Sequence, residues 1–336
     1  MTYLYYLIYI LGGLALFLYG VQESSPFFKS SFGGEFRDKI SCYTSGQCRS
    51  FLFGVMLSAI TQSSTIATSF AVSFVDAGML SFAGSIYVMM GASLGGTFVS
   101  YLLSLNLFAY APLLFAIGYF FSKTKTRWIW MMAGLIRCLA LIFLGMLIIG
   151  MGTNPMFADV EFKSVVTGFA SNVWLMGIAS FLGAGILQSS SAIMALGITL
   201  AASGVLPAAS ALPIALGAHI GSTTMVVLAG LGGRLSAKRL GFATFSYKLI
   251  GGLLFIALTP FVNIWMTSHN VSVANQLVYG QVLIAVFNIL IFIPFTGLLS
   301  YIVIKLINGE GSMGQPKYLD DDMLTVRFIA VMLLSG

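Results

Sequence analysis

Residues 61–69 read TQSSTIATS and residues 187–191 read LQSSS. Each sets a glutamine and a run of hydroxyls inside a long apolar stretch. The chain is 58% hydrophobic and 8% charged, with mean hydropathy +0.97. A soluble domain carries roughly 25% charged residues. These 336 residues cannot coat themselves with polar surface, so the chain reads as an all-α polytopic membrane protein. Its length counts membrane spans of about 20 residues each rather than soluble domains. In hydrocarbon an unpartnered amide side chain is expensive. A lone Ser in such a helix has a plain explanation, packing or a bond back to its own carbonyls. A Gln-Ser-Ser that occurs twice asks for a function.

Apolar stretches fall at about 3–22, 51–75, 79–105, 107–121, 128–150, 173–202, 205–231, 240–266 and 275–306. The first has no basic segment before it and no small-residue cleavage site after it, so it reads as a retained membrane helix. Lys29, Arg37, Lys39 and Arg49 crowd 23–50; Lys123, Lys125 and Arg127 form one short loop; Arg234, Lys238 and Arg239 form another; Lys305 and Lys317 follow the last span. The segment 151–172 instead has Asp159 and Glu161 against Lys163, and 261–280 has neither Lys nor Arg. The positive-inside rule places the four basic segments in the cytoplasm and the other two outside. It also absorbs the net charge of +6, so no nucleic-acid partner is expected. Between 23–50 and 122–127 lie three apolar stretches, where an even number of crossings is needed. Between 151–172 and 233–239 lie two, where one crossing is needed. One stretch in each interval must enter and leave on the same side, and the two with Gln-Ser-Ser are the natural choices. Cys42, Cys48 and Cys138 have neither metal-site spacing nor the pattern of a disulfide framework.

A shift of 126 residues lays Gln62-Ser63-Ser64 over Gln188-Ser189-Ser190 and, without a gap, GASLGGT at 91–97 over GAHIGST at 217–223. Gly78, Leu80 and Ala83 match Gly204, Leu206 and Ala209. A shift of 125 lays LALFLYG at 14–20 over LALIFLG at 139–145. The chain therefore divides into a first repeat at 1–126, a second at 127–306 and a tail at 307–336 that ends the core. Repeats entered from opposite faces make an inverted-topology repeat, with two re-entrant QSS hairpins and about seven or eight spanning helices. In transporters of that plan, substrate and ion sites lie at broken helices near the midplane. Gln, Ser and Thr suit such a site. Their oxygens replace water around a hard cation, and their donors, with backbone N–H groups at a half-helix start, hold an oxyanion.

At these residues the chain resembles the sodium-dependent phosphate cotransporter family, the type II kind and its bacterial members. Gln62-Ser63-Ser64-Thr65 and Gln188-Ser189-Ser190-Ser191 look like its two QSSS motifs, and Gly91–Thr97 and Gly217–Thr223 like its two GANIGTT motifs. LGGLALFLYG at 11–20 and FNILIFIPFTGLL at 287–299 are similar to bacterial members, and the likeness runs over about 8–320. The resemblance implies alternating-access transport of inorganic phosphate coupled to Na+, in the inner (plasma) membrane, with no other cofactor and no enzymatic role. A homodimer is left open. The substrate and ion residues it implies are Gln62, Ser63, Ser64, Thr65, Ser93, Thr97, Gln188, Ser189, Ser190, Ser191, His219, Ser222, Thr223, Lys248 and Asn288, with Na+ at Gln62, Ser63, Gln188 and Ser189. Longer bacterial relatives continue into a helical regulatory domain; this chain reads as either a short form or a cut one.

The departures carry information. Ser93 and His219 stand where the family has Asn, Gly96 and Ser222 where it has Thr, and Thr65 ends the first QSSS. In the two His-x-x-Phe-Asn helices, Ile284 and Thr244 replace His and Lys248 replaces one Asn, while Asn288 keeps the other. An ammonium in the core can stand in for a bound Na+, and Lys248 is expected to substitute for one cation. Asp76 reads as interfacial, and Arg137 as a structural ion pair or a functional group. Two other classes stay open: an Na+-independent exporter or facilitator of phosphate or another small oxyanion, and a non-transporting membrane binding or sensing protein. An enzyme is the least expected, because no Ser-His-Asp or metal-ligand spacing occurs and His219 and His269 are the only histidines.

Overall fold

The computed structural model describes residues 2–31, 44, 46–76, 79–105, 107–231 and 235–308, and these build an all-helical fold. The first repeat holds α1 (Thr2–Ser31), α2 (Gln47–Thr61), α3 (Ser64–Asp76), α4 (Phe82–Gly95), α5 (Thr97–Ser104) and α6 (Ala111–Phe121). The second opens with α7 (Arg127–Met156) and α8 (Val160–Ala170). Then come α9 (Val173–Leu187), α10 (Ser190–Ala202), α11 (Ala211–Gly221), α12 (Thr224–Leu231) and α13 (Leu235–Ile256). The last three are α14 (Thr259–Ser268), α15 (Val273–Phe292) and α16 (Thr296–Leu306). The 126-residue shift carries α2 onto α9 and α3 onto α10 end for end, and brings α5 within one residue of α12. The 125-residue shift carries α1 onto α7 end for end. The duplication read from sequence is thus a duplication of helices. The tail from 309 onward, Arg37, Lys39, Cys42, Gly78, Arg234 and the side chain of Asp76 lie outside the described residues.

Among the described residues six stretches are long and apolar enough to cross a membrane: Tyr3–Glu23, Phe82–Ser104, Trp128–Met156, Ala208–Leu228, Leu235–Ile256 and Val273–Phe292. The pair α8 and α9, bent by 89°, makes a seventh if counted as one span. That count meets the lower edge of the seven or eight expected. Two apolar stretches that read as continuous are broken. The run 240–266 breaks before α14, where Pro260 sits in the first turn, and 275–306 breaks at 293–295 around Pro294. Proline lacks the N–H a helix interior needs but fits a first turn. Composition alone does not register such a break.

Helix direction follows from where glycines touch. A Cβ added at Gly91 would strike the Phe51 carbonyl oxygen, and one at Gly95 the Val55 carbonyl oxygen. Contacts that advance together along both helices mean that α2 and α4 run parallel. Since α2 and α4 point the same way, the segment between them must return, and α3 is that returning arm. The second repeat repeats this contact for contact: Gly217 meets the Gly177 carbonyl and Gly221 the Phe181 carbonyl, so α9 and α11 are parallel and α10 returns. Each arm of 13 or 15 residues is roughly 20–22 Å long, short of a hydrocarbon core of about 30 Å. The two QSS segments are therefore the turns of re-entrant hairpins.

The two long helices α1 and α7 pack antiparallel. Gly13 abuts Gly145, Gly20 abuts Cys138 and Gly152 abuts the Tyr6 carbonyl, so one series rises as the other falls. Arg137 lies on this seam beside Tyr19 and Glu23, which favours the structural reading of its charge. At the seam's end the Tyr3 hydroxyl donates to Asp159 Oδ2 at 2.6 Å. Asp159 Oδ1 caps α8 by accepting from the N–H groups of Glu161 and Phe162 at 3.0 and 3.2 Å. Helix α15 occupies the centre, touching α4 and α5 of the first repeat and α10, α11 and α13 of the second.

Two outcomes follow. Gly91→Val and Gly217→Val force apart backbones in contact and should each cost about 2 kcal/mol or more, read as a lower melting temperature in detergent. Gly12→Ala, with nothing within 4 Å of the added carbon, should be neutral or slightly stabilising. The Asp159 carboxyl is held below its ordinary range, first by the Tyr3 hydroxyl and then by the Phe162 N–H. A depressed carboxylate stabilises above its ordinary value of about 3.9 and loses that contribution as pH falls through its lower folded value. The melting-temperature gap between wild type and Asp159→Asn should therefore shrink as pH is lowered below about 4.

Candidate functional site

Each QSS turn is built the same way. Gln62 has φ 55° and ψ 21°, and Gln188 has φ 54° and ψ 26°. Both lie in the left-handed region, which costs a residue with a side chain on the order of 1 kcal/mol or more. The N–H of Gln62 and of Ser63 both donate to the Ser58 carbonyl; those of Gln188 and Ser189 both donate to the Ala184 carbonyl. That closes the first arm. The following serine then opens the second, because Ser63 Oγ accepts from Ile66 N–H at 3.3 Å and Ser189 Oγ from Ala192 N–H at 3.2 Å. Glycine would fill the left-handed position without strain. A strained glutamine held there at both repeat-equivalent positions indicates that its side chain is wanted. The turns also aim the N-termini of α3 and α10, with their unpaired N–H groups and partial positive charge, into the protein.

Beside each turn lies a second break. Gly96 separates α4 from α5, and Ser222-Thr223 separates α11 from α12. Thr97 Oγ donates to the Leu94 carbonyl and Thr223 Oγ to the Ile220 carbonyl, both at 2.7 Å, so each hydroxyl keeps its lone pairs for another partner. A Cβ built at Gly96 would come within 3.1 Å of Ser64 Cβ and 3.4 Å of Ser58 Oγ, so the first QSS turn sits against the first break. The halves interlock here. Arm α3 packs on α12 and α13, and arm α10 packs on α5.

Helix α13 runs between the repeats and touches both. Thr244 lies on the side of α4, its Oγ donating to the Leu240 carbonyl at 2.6 Å and lying 2.8 Å from Met89 Sδ. The Tyr247 hydroxyl is buried against Ser93, but neither oxygen completes a hydrogen bond of normal geometry. One turn beyond Thr244, Lys248 Nζ donates to Ser222 Oγ at 3.2 Å and lies beside His219. Asn288 Nδ2 is 3.4 Å from His219 Nε2 and donates to it when the ring proton is on Nδ1. A Cβ at Gly251 would strike the Asn288 amide, so the missing side chain there makes room for it. Exposures of 2% for His219, 5% for Lys248 and 0% for Asn288 make this a dry cluster. Among the described residues the Lys248 ammonium has that one hydrogen bond for three donors. A buried ammonium left so is costly, and an anion would offset that cost.

Of the residues expected from sequence, the fold gathers His219, Ser222, Lys248 and Asn288 into one cluster, and sets Ser63, Ser64 and Thr97 about the first pair of breaks. Gln62 is buried and its Oε1 has no partner among the described residues. Gln188 is exposed. Ser189 Oγ pairs with Ser191 Oγ at 3.0 Å, and Ser190 and Thr65 are partly buried in the first turns of α10 and α3. Among the described residues no hydrogen bond ties Gln188 or Ser189 to the Lys248 cluster. Six polar groups escaped sequence reading: Ser58, Ser100, Tyr247, Asn263, Gln276 and Gln281, each with a buried oxygen unpartnered among the described residues. Gln281 could have been found as Gln62 was, as an amide in an apolar span. Ser58 and Tyr247 become visible only once α2, α4 and α13 are packed. Among the described residues no three His, Cys, Asp or Glu side chains converge, so the donor set is neutral oxygens and one ammonium.

The sequence model of the family described as Na+/Pi-cotransporter matches residues 16–152 and again residues 152–290. The chain belongs to the Na+/Pi-cotransporter family. The model thus matches twice in succession, and the two matches meet at residue 152, within α7. "Putative inorganic phosphate export protein YjbB" of Escherichia coli strain K12 is 24% identical over 337 residues, covering 97% of this chain and 61% of that protein. The protein of the same name from Salmonella typhimurium strain LT2 is 24% identical over 335 residues, with the same coverage. "Uncharacterized protein YqeW" of Bacillus subtilis strain 168 is 21% identical over 297 residues, 88% of this chain and 97% of that one. The chain thus spans about three fifths of the YjbB proteins and nearly all of YqeW. No solved structure matches it.

Gln62→Gly and Gln188→Gly should keep the left-handed turns, and so the fold and melting temperature, while phosphate uptake into proteoliposomes drops at least roughly tenfold, the cost of lost polar ligands. Uptake near the wild-type rate in both variants would mean that the glutamines serve only the backbone.

Proposed function

We propose that this chain carries inorganic phosphate across the inner membrane by alternating access, coupled to Na+. The observation that carries this reading is the pair of QSS turns, each with a strained left-handed glutamine and a helix N-terminus, each lying in a hairpin whose arms interlock with the other repeat. In this reading the N–H groups at the starts of α3 and α10, the Ser and Thr hydroxyls and Lys248 hold the oxyanion, while neutral oxygens around the turns hold Na+. Inverted topology is supported by α1 and α7, which correspond under the repeat yet run antiparallel, and by the opposite entry sides inferred from loop charge. Alternation is supported by the inequality of the turns, since one glutamine is buried and its counterpart exposed. Two related arrangements that exchange those roles would present the site first to one side and then to the other.

Phosphate efflux without Na+ is the second reading, favoured by the names of the YjbB relatives. Radiolabelled phosphate uptake by the purified chain in proteoliposomes, under an inward Na+ gradient, an equal K+ gradient or none, separates the two. Accumulation that requires the Na+ gradient is the expected result. Flux indifferent to Na+ would favour the second reading, and phosphate binding without flux would sink both.

A further inference from the structure

We infer that the two repeats are chemically unequal: among the described residues the first break is the one alkali-cation site, and in the second Lys248 takes the place of the cation and makes an oxyanion seat. The inference rests on the reading that the chain carries an oxyanion. Five oxygens buried on or against the helices of the first repeat have no hydrogen-bond partner among the described residues: Ser58 Oγ, Gln62 Oε1, Ser93 Oγ, Ser100 Oγ and the Tyr247 hydroxyl. Their residues are between 0% and 8% exposed. Such an oxygen is costly to bury when nothing meets it. Ser58 and Gln62 are one turn apart at the end of α2, and Ser58 also lies against Gly96, one turn beyond Ser93 on α4. Helix α13 brings the Tyr247 hydroxyl to Ser93 from the opposite side. Neutral oxygens such as Ser58 Oγ and Gln62 Oε1, buried beside the break at Gly96, can replace the water of a hard monovalent cation and give an anion little to bond.

The equivalent positions of the second repeat have lost those oxygens or engaged them. Ser58 corresponds to Ala184, Ser100 to Val226, Ser93 to His219 and Gly96 to Ser222. His219 is taken up by Asn288, and Ser222 Oγ accepts from Lys248. The second Gln, Gln188, is exposed where Gln62 is buried. Among the described residues the unpartnered oxygen left in that cluster is Asn288 Oδ1, and the ammonium of the same cluster repels a cation. An oxyanion, in contrast, finds two unused Lys248 donors.

Binding of radiolabelled Na+ to the purified full chain, and phosphate uptake in proteoliposomes against Na+ concentration, test this. Uptake by the wild type should rise hyperbolically with Na+. Ser58→Ala and Ser93→Ala should each weaken Na+ binding roughly tenfold while still eluting as monodisperse protein. Lys248→Asn, which removes the resident charge, should add a second bound Na+ per chain, read by binding because the same change takes donors from the oxyanion seat. A sigmoidal wild type, which needs no variant to fold, would overturn the inference. So would Na+ binding unchanged in both Ala variants, or no added Na+ bound by Lys248→Asn. Phosphate flux with no Na+ binding at all overturns the inference and leaves phosphate carriage standing. Absence of both phosphate binding and flux overturns the carriage reading beneath it, whatever Na+ does.

Discussion

A peptide group in hydrocarbon must find its hydrogen bond inside the protein, and this fold is organised around the few places where helices stop short of doing so. At Gln62 and Gln188 one helix ends and another begins in mid-membrane sequence. The local solution is compact: a left-handed residue returns its N–H to the helix behind, and a serine caps the helix ahead. What it leaves over is a set of N–H groups at a helix start, backed by hydroxyls. Such groups can be tolerated at that depth only where the protein covers them. The interlock of α3 with α12 and α13, and of α10 with α5, supplies the cover. Packing between repeats and the existence of a polar site are therefore one requirement met once.

Glycine makes that cover thin enough to work. Between α2 and α4, and again between α9 and α11, backbone lies against backbone, so the first arm of each hairpin and its broken helix stand as close as two helices can. Ser58 reaches Gly96 for this reason. A methyl group on Gly91 or Gly95 would hold the turn away from the break, and the hydroxyls on the two elements would no longer share a space.

Much of this was legible in the sequence. The twofold occurrence of Gln-Ser-Ser, the ungapped 126-residue shift and the uneven loop charge lead to re-entrant hairpins, and the helix ends fall on that shift almost residue for residue. Lys248, His219, Ser222 and Asn288 stand out one by one from apolar sequence, and the fold brings them to one place. Other features could not be read. A run of apolar residues does not announce where it breaks, so 240–266 and 275–306 read as single stretches despite Pro260 and Pro294. The inequality of Gln62 and Gln188 is invisible in two motifs that are nearly identical. It arises from what packs over them. Ser58 and Tyr247 are ordinary until three helices meet, because a hydroxyl on one helix says nothing about whether a neighbour will offer it a partner.

The glycine seams also decide which parts of the molecule can shear. Helices whose carbonyl oxygens nest where side chains would otherwise stand cannot slide past one another without first separating, and separation in lipid opens a void along their whole length. The pairs α2–α4 and α9–α11 thus behave as two stiff plates, as does α1 against α7. Apart from Gly241 of α13, which lies on the Val226 carbonyl of α12, α13 and α15 meet their neighbours through side chains such as Met89, Tyr247, Ile220 and Leu277, which can change rotamer and stay in touch. The compliant surfaces of the protein are the ones that carry Lys248 and Asn288, so any rearrangement of the plates is felt first at the buried ammonium.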